Sequence, residues 1–304
     1  MNDAFVKKDD LQVYSFYRFL KIDNKEKIKL LFDHFFKNKH VKGTILLADE
    51  GINASISGTE DVLQDTMIFI KKILRIKKIN LKINNSDFFP FNKFKVRLKK
   101  EIVSLGVNEI RLYKNCNNYI LPATWDKFIS KKGVKLIDTR NIYEIKIGKF
   151  SGAINPKIKT FREFPSKVQN LGLKKNDMIA MYCTGGIRCE KASAFLKSKG
   201  FNNVYQLDGG IINYLQEYKC KIKNSQWSGE CFVFDNRVTV NQKLNKGKYE
   251  QCYGCRNPIT KKDMVSKKYK KGVYCPHCFD KRTEKQKKSS EDRQQQIEKY
   301  LSKS

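Results

Sequence analysis

The sequence predicts a multidomain protein of mixed α/β and α+β class: a small split βαββαβ domain, a parallel-sheet α/β domain, and a C-terminal region built on four cysteines. Three observations carry this. Between about residues 10 and 85, period-two and helical apolar spacing follow each other in the order strand, helix, strand, strand, helix, strand. From Trp125 onward, short apolar strands alternate singly with helices, the pattern of a parallel sheet. Finally, Cys252-x-x-Cys255 is followed by Cys275-x-x-Cys278.

In the first domain a strand is expected over Val13 to Leu20. A helix follows over Lys25 to Lys39, with Ile28, Leu31, Phe32, Phe35 and Phe36 on its apolar face. Thr44 to Ala48 and Ile52 to Ile56 form the next two strands, turned at Glu50-Gly51. Thr59 stands where it would cap a helix over Glu60 to Arg75, whose face is Val62, Leu63, Met67, Ile70 and Leu74. With a last strand over Ile79 to Ile83 the order is that of a ferredoxin-like domain, assigned to residues 1–90. His34 and His40 flank an apolar helix without a ligand partner at suitable spacing, and are read as structural or exposed.

Residues 91–122 are read as a linker along a domain seam. Its segment Phe94 to Lys100 mixes Phe with basic residues, so Arg97 and Lys99 are candidate RNA contacts; a solvated charged edge explains the same residues equally well.

The α/β domain, residues 123–222, is expected to contain a helix over Thr124 to Ser130, a strand over Val134 to Ile137 ending at Asp138, and a strand over Met178 to Tyr182 ending at Cys183. A helix over Lys191 to Lys199, a strand over Val204 to Leu207, and a helix opened by Gly209-Gly210 complete it. Functional groups of parallel sheets gather at the carboxyl ends of the strands, where Asp138 and Cys183 lie. The loop Cys183-Thr184-Gly185-Gly186-Ile187-Arg188 is the chemical centre. Gly185 and Gly186 tolerate the positive φ needed to curl N–H groups around a sulfur, and the following helix start and Arg188 add positive charge. These effects lower a thiol pKa from about 8.5 and make a nucleophile. An inert buried cysteine is the ordinary alternative, and the loop argues against it. Cys189 either packs beneath the loop, the favoured reading, or resolves an oxidised Cys183. Tyr182 is read as core.

Residues 223–280 hold the two cysteine pairs, the signature of a structural zinc ribbon with Cys252, Cys255, Cys275 and Cys278 as ligands. Four thiolates leave no open coordination position, so the role is structural, and His277 is read as a bystander. Residues 281–304 form a basic polar tail, read as a frayed helix or disordered because it lacks apolar residues to pack.

Nine cysteines in 304 residues, four of them in the two pairs, fit metal binding and catalysis in a reducing compartment better than a disulfide framework. No apolar run approaches the roughly 20 residues of a membrane span, and the opening MNDAFVKKDD lacks a signal-peptide core, so a cytoplasmic protein is expected. The formal charge of +31, from 62 Lys+Arg against 31 Asp+Glu, favours a polyanionic partner such as RNA. Lys, Ile and Asn are abundant throughout, so part of this excess is equally a compositional bias.

Four stretches together resemble a rhodanese homology domain: Leu136 to Glu144, Gly148 to Pro156, Tyr182 to Cys189, and Leu207 to Ile211. Glu50-Gly-Ile-Asn-Ala-Ser-Ile-Ser-Gly58, Thr160-Phe-Arg-Glu-Phe-Pro165 and Gly229-Glu-Cys-Phe-Val-Phe-Asp235 narrow the likeness to the bacterial tRNA wobble-uridine hydroxylase family, across nearly the whole chain. The resemblance implies hydroxylation of the uridine at position 34 to 5-hydroxyuridine, with molecular oxygen as co-substrate, the tRNA anticodon arm as partner and Cys183 as the active residue. It also implies that Asp138, Arg140 and Glu144 support the loop, Arg140 and Glu144 as a pair; a surface pair is the alternative. Arg162, inside Thr-Phe-Arg-Glu-Phe-Pro, is a candidate tRNA contact. Rhodanese domains often carry His where Lys149 stands, so no role is transferred to that position. No flavin, nicotinamide or catalytic-iron motif identifies an electron donor, and no motif identifies an oligomeric partner. A second reading is sulfur transfer in tRNA thiolation, with a persulfide on Cys183 held by the loop N–H groups and Arg188.

Overall fold

The computed structural model describes residues 11–107, 118–218 and 225–301. The opening decapeptide, the linker stretch 108–117 and the last three residues of the basic tail lie outside the described residues. Two compact units form: the chain up to Cys231 together with Asn241–Asn245, and Phe232–Val240 together with the chain from Lys246.

The first unit begins with β1 (Leu11–Phe19), α1 (Lys25–Phe36), β2 (Lys42–Ala48), β3 (Gly51–Thr59), α2 (Glu60–Leu74), β4 (Leu81–Asn85) and β5 (Phe94–Leu98). The sheet order is β4-β1-β3-β2-β5, antiparallel except for the parallel edge pair β2/β5. The alternation Ile52-Asn53-Ala54-Ser55-Ile56-Ser57 divides β3 between two faces. Ile52, Ala54 and Ile56 join Tyr14, Phe16, Ile45 and Leu47 under the helices, where Phe32, Phe36, Leu63, Met67 and Ile70 close the core. Asn53, Ser55 and Ser57 lie on the other face, opposite Tyr17, Ser15 and Val13 in register, and Lys82 of β4 lies opposite Ser15. This second face is polar.

Local differences from expectation have local causes. Leu31 is 41% exposed, because α1 rests on Phe32 and Phe36. Thr59 occupies the N-cap position in extended conformation, but its side chain makes no capping bond; Glu60 and Asp61 place acidic charge in the first turn instead. The last strand starts at Leu81 rather than Ile79: Arg75 ends α2 in the left-handed conformation, and Ile76 and Ile79 pack into the core without pairing. The segment Phe94–Leu98, expected as extended chain in a linker, is extended and completes the sheet as β5.

The second half of this unit contains β6 (Asn118–Ile120), α3 (Pro122–Ile129), β7 (Val134–Asp138), α4 (Ile142–Ile145), β8 (Gly148–Phe150), α5 (Phe164–Val168), β9 (Met178–Tyr182), α6 (Ile187–Ser198), β10 (Val204–Leu207), α7 (Gly210–Tyr218) and β11 (Trp227–Gly229). The parallel sheet runs β6-β10-β9-β7, with β8 and β11 paired antiparallel beside it. An aromatic cluster fixes this pair: Phe150 meets Trp125, Tyr182, Tyr214 and Trp227 edge to face, with centroids 4.8–6.0 Å apart. Tyr182 is wholly buried here, as expected of a core residue. Helix α6 starts four residues earlier than its apolar pattern suggests, because Gly186 at φ 97° turns the chain straight from the loop into the helix.

In the second unit Glu250–Gln251 pairs with Pro258–Ile259, and a helix runs over Glu284–Leu301. The tail is therefore helical, and polar bonds substitute for an apolar face: Arg282 donates to Gly254 O and Ser290 Oγ, and Arg293 donates to Gly272 O.

Candidate active site and metal centre

Cys183 immediately follows β9 and its sulfur is completely buried. Gly186 N–H donates to Sγ at 3.1 Å. The loop is pinned from behind, since Ile211 N–H donates to Cys183 O at 2.9 Å and Ile212 N–H to Thr184 O at 3.1 Å. Gly210 permits this approach: a Cβ there would stand 2.5 Å from Cys183 O and 2.7 Å from Gly186 N. Burial pushes the Cys183 thiol up, but the thiol of Cys189, the charge of Arg188 and the loop N–H groups outweigh it and bring the pKa down to about 5. The depressed pKa favours the thiolate form of Cys183 at neutral pH.

Cys189 lies buried beneath it, 3.6 Å from Thr139 Oγ1. Burial and the neighbouring Cys183 charge hold the Cys189 thiol far above its ordinary range, so it stays protonated, and its thiol in turn lowers the Cys183 pKa. It packs, as expected, and also tunes its neighbour.

The supporting ion pairs differ from the expected Arg140–Glu144 pair. Arg188 binds Glu144 through two bonds of 2.7 and 2.8 Å and reaches Thr184 Oγ1 at 3.2 Å. Arg140 binds Asp138 at 2.9 and 2.6 Å and donates to Gly148 O at 2.7 Å. All four side chains are buried, so a surface pair is excluded. The exchange follows from position. Arg140 lies two residues beyond Asp138 and folds back on it, whereas Arg188, the second residue of α6, faces the Glu144 carboxylate of α4. Burial raises the Glu144 pKa, and Arg188 more than reverses this and holds it below the usual range.

Sequence reading missed a second set of groups around the loop. Tyr17 of β1 donates to Glu190 Oε1 at 2.9 Å, and Tyr119 donates to the same carboxylate at 3.0 Å. A Cβ on Gly186 would lie 2.9 Å from the Tyr17 hydroxyl, so β1 abuts the active loop. Lys191 of α6, 3% exposed, bridges Glu50 at 2.8 Å and Glu101 at 2.5 Å. Glu50 also accepts from Ile102 N–H, and Glu101 from Leu105 N–H, so the Glu50-Gly-Ile-Asn motif fastens the polar sheet face to the parallel-sheet half. Arg97, Lys99 and Arg162 are exposed, and their side chains make no hydrogen bond or ion pair with a described residue. Lys149 is exposed on β8, and His34 and His40 are exposed as well.

In the second unit the sulfurs of Cys252, Cys255, Cys275 and Cys278 all lie within 4.8 Å of one another. Three of the separations are 3.8–3.9 Å. A tetrahedron with Zn–S bonds of about 2.3 Å has edges of about 3.8 Å, so the four residues fit zinc. Asn257 donates to Cys255 Sγ at 3.2 Å and the Cys275 N–H to Cys278 Sγ at 3.3 Å, as thiolate ligands require. His277 points to Asp263, 3.4 Å away, and stands outside the cluster.

Residues 11–102 match the profile of the UPF0176 acylphosphatase like domain, and residues 122–217 that of the rhodanese-like domain. A tRNA uridine(34) hydroxylase of Pelagibacter ubique is 48% identical over 286 residues, 94% of this chain and 93% of that protein. The chain belongs to the tRNA uridine(34) hydroxylase family. Among solved structures, a rhodanese-related protein of Thermoplasma volcanium is 26% identical with a TM-score of 0.28, covering 33% of this chain and 92% of that one. A rhodanese-like domain protein of Staphylococcus aureus is 23% identical with a TM-score of 0.27, covering 32% and 90%. In this hydroxylase-family chain, the profile boundary at residue 122 coincides with the start of α3. No described helix is long and apolar enough to cross a membrane.

Proposed function

We propose that this protein hydroxylates C5 of the uridine at tRNA position 34, forming 5-hydroxyuridine in the cytoplasm, with Cys183 as its nucleophile. The observation that carries this reading is a buried cysteine, its sulfur accepting from a loop N–H and its pKa depressed, in a chain 48% identical along its length to a tRNA uridine(34) hydroxylase.

C5 of uracil is a weak nucleophile in the aromatic-like ring. Addition of the Cys183 thiolate to C6 makes it an enolate carbon, ready to take oxygen. One atom of dioxygen enters as the C5 hydroxyl and the other leaves as water, with two electrons and two protons supplied by an external reductant. Loss of the C5 proton and of sulfur from C6 then restores the ring. Asp138 and Arg140 brace the strand end behind the sulfur, while Thr184 to Arg188 shape its pocket. The tRNA anticodon arm is bound through phosphates, with Arg97, Lys99 and Arg162 as contacts; their exposure and lack of partners among the described residues support this. The four-cysteine unit holds a structural zinc.

The test is nucleoside mass spectrometry of tRNA from cells lacking this protein and complemented with wild type or Cys183→Ser. Wild type alone restores a uridine heavier by one oxygen. An unchanged oxygen pattern with a missing thio-modification overturns the hydroxylase reading in favour of sulfur transfer.

A further inference from the structure

Among the described residues of the first unit four cationic side chains are buried, and three of them are neutralised. Arg140 is bound to Asp138, Arg188 to Glu144, and Lys191 to Glu50 and Glu101. The fourth, Lys82, is 5% exposed and makes no hydrogen bond or ion pair with a described residue. An ammonium withdrawn from water without a carboxylate costs several kcal/mol by its desolvation, so the fold gains nothing evident from it. Such a charge is retained for function more readily than for stability.

Its position follows from the pleat. Lys82 is opposite Ser15 on the polar face of the N-terminal sheet, two residues from the point where Tyr17 of β1 abuts Gly186. Its Nζ stands 5.4 Å from the Tyr17 ring centroid. Burial lowers the pKa of the ammonium, and the negative charges of Cys183, then Asp208 and Glu190, offset this only in part. Lys82 is therefore an uncommitted cation on the wall that faces the nucleophile.

We propose that Lys82 is a catalytic residue of the reaction: its ammonium hydrogen-bonds O4 of the target uracil and holds the negative charge that forms there when Cys183 Sγ adds to C6. The inference rests on the hydroxylase reading and deepens it. The addition is redox-neutral. The sulfur lone pair makes the S–C6 bond, the C5=C6 pair moves into the C4–C5 bond, and the C4=O4 pair becomes the lone pair of an enolate oxygen. Conjugation sends this charge to O4 and not to O2. On elimination the electrons return along the same path, the sulfur leaves C6 as thiolate, and Lys82 keeps its proton throughout. The N-terminal domain thus supplies a working part of the active site, with Tyr17 as the flat surface beside the ammonium.

The test uses purified full-length protein in excess over tRNA from a strain lacking it, with cleared extract of that strain supplying the reductant, and 5-hydroxyuridine read by mass spectrometry. With Lys82→Met, the rate at saturating protein falls at least thirtyfold, the tRNA dissociation constant stays within twofold, and the melting temperature does not fall. Lys82→Arg, which keeps the charge, recovers at least a tenth of the wild-type rate. A Lys82→Met rate within threefold of wild type overturns the proposal. So does a loss explained by tRNA binding weakened more than tenfold, or by a lower melting temperature in both variants. Failure of the wild type to form 5-hydroxyuridine sinks the hydroxylase reading itself, and is distinct from each of these.

Discussion

Replacing Cys189 by Ala should raise the pKa of Cys183 without touching the loop that carries it. Cys189 is held protonated, and its thiol, acting on the Cys183 charge as a hydrogen-bond donor does, is the largest of the influences that together bring the latter to about 5 against the upward push of burial. A hydrogen bond to a charged group contributes about 1.5–3 kcal/mol, and one pKa unit is about 1.4 kcal/mol, so losing it moves the midpoint up by about 1–2 units. The loop N–H groups and Arg188 remain, which places the variant near pH 6–7, still below the ~8.5 of a free thiol. The assay is the 13Cβ chemical shift of labelled cysteine followed between pH 4 and 9, which needs no reagent to reach a sulfur with no exposed surface. A wild-type midpoint at pH 8 or above, or a Cys189→Ala midpoint equal to the wild type, would refute the reasoning. Since the folded pKa lies below the unfolded one, the thiolate's contribution to stability is full above the unfolded value and disappears as pH falls through about 5.

Arg188→Met removes both bonds to Glu144 and leaves a buried carboxylate unpaired, so urea denaturation should show a loss of about 3–5 kcal/mol. The double variant Arg188→Met/Glu144→Gln should recover more than half of that loss. Purified protein should carry one zinc per chain by atomic absorption, and Cys275→Ser should retain less than a tenth of it, because each thiolate is part of a closed set whose apparent binding free energy is on the order of 10–16 kcal/mol.

What could be read from sequence was what depends on near neighbours. The βαββαβ order, the Cys183 loop and the cysteine pairs are carried by spacing within short windows, and the structure keeps each of them. Pairings decided by distant segments were less legible. Arg140 and Glu144 were expected to meet, yet each finds a different partner, because the orientation of α4 and α6 is set by packing and not by the local pattern. Phe94–Leu98 reads equally well as a charged connector or an edge strand until β2 is there to receive it. Lys82 and Tyr17 occupy ordinary alternating positions on their strands, and nothing within ten residues of either signals that their face is turned toward the loop of a cysteine more than a hundred residues further along the chain.

The complete burial of the Cys183 sulfur has a further consequence. A thiolate is the form of cysteine that peroxide oxidises fastest, and the proposed reaction with dioxygen exposes the sulfur to such by-products. With no exposed surface, and with Tyr17 of β1 against Gly186 of its loop, the Cys183 sulfur is shielded from oxidants in solution. A sulfur with no exposed surface meets a base only after the groups around it move, so on the reaction proposed above entry of the nucleobase and uncovering of the sulfur coincide.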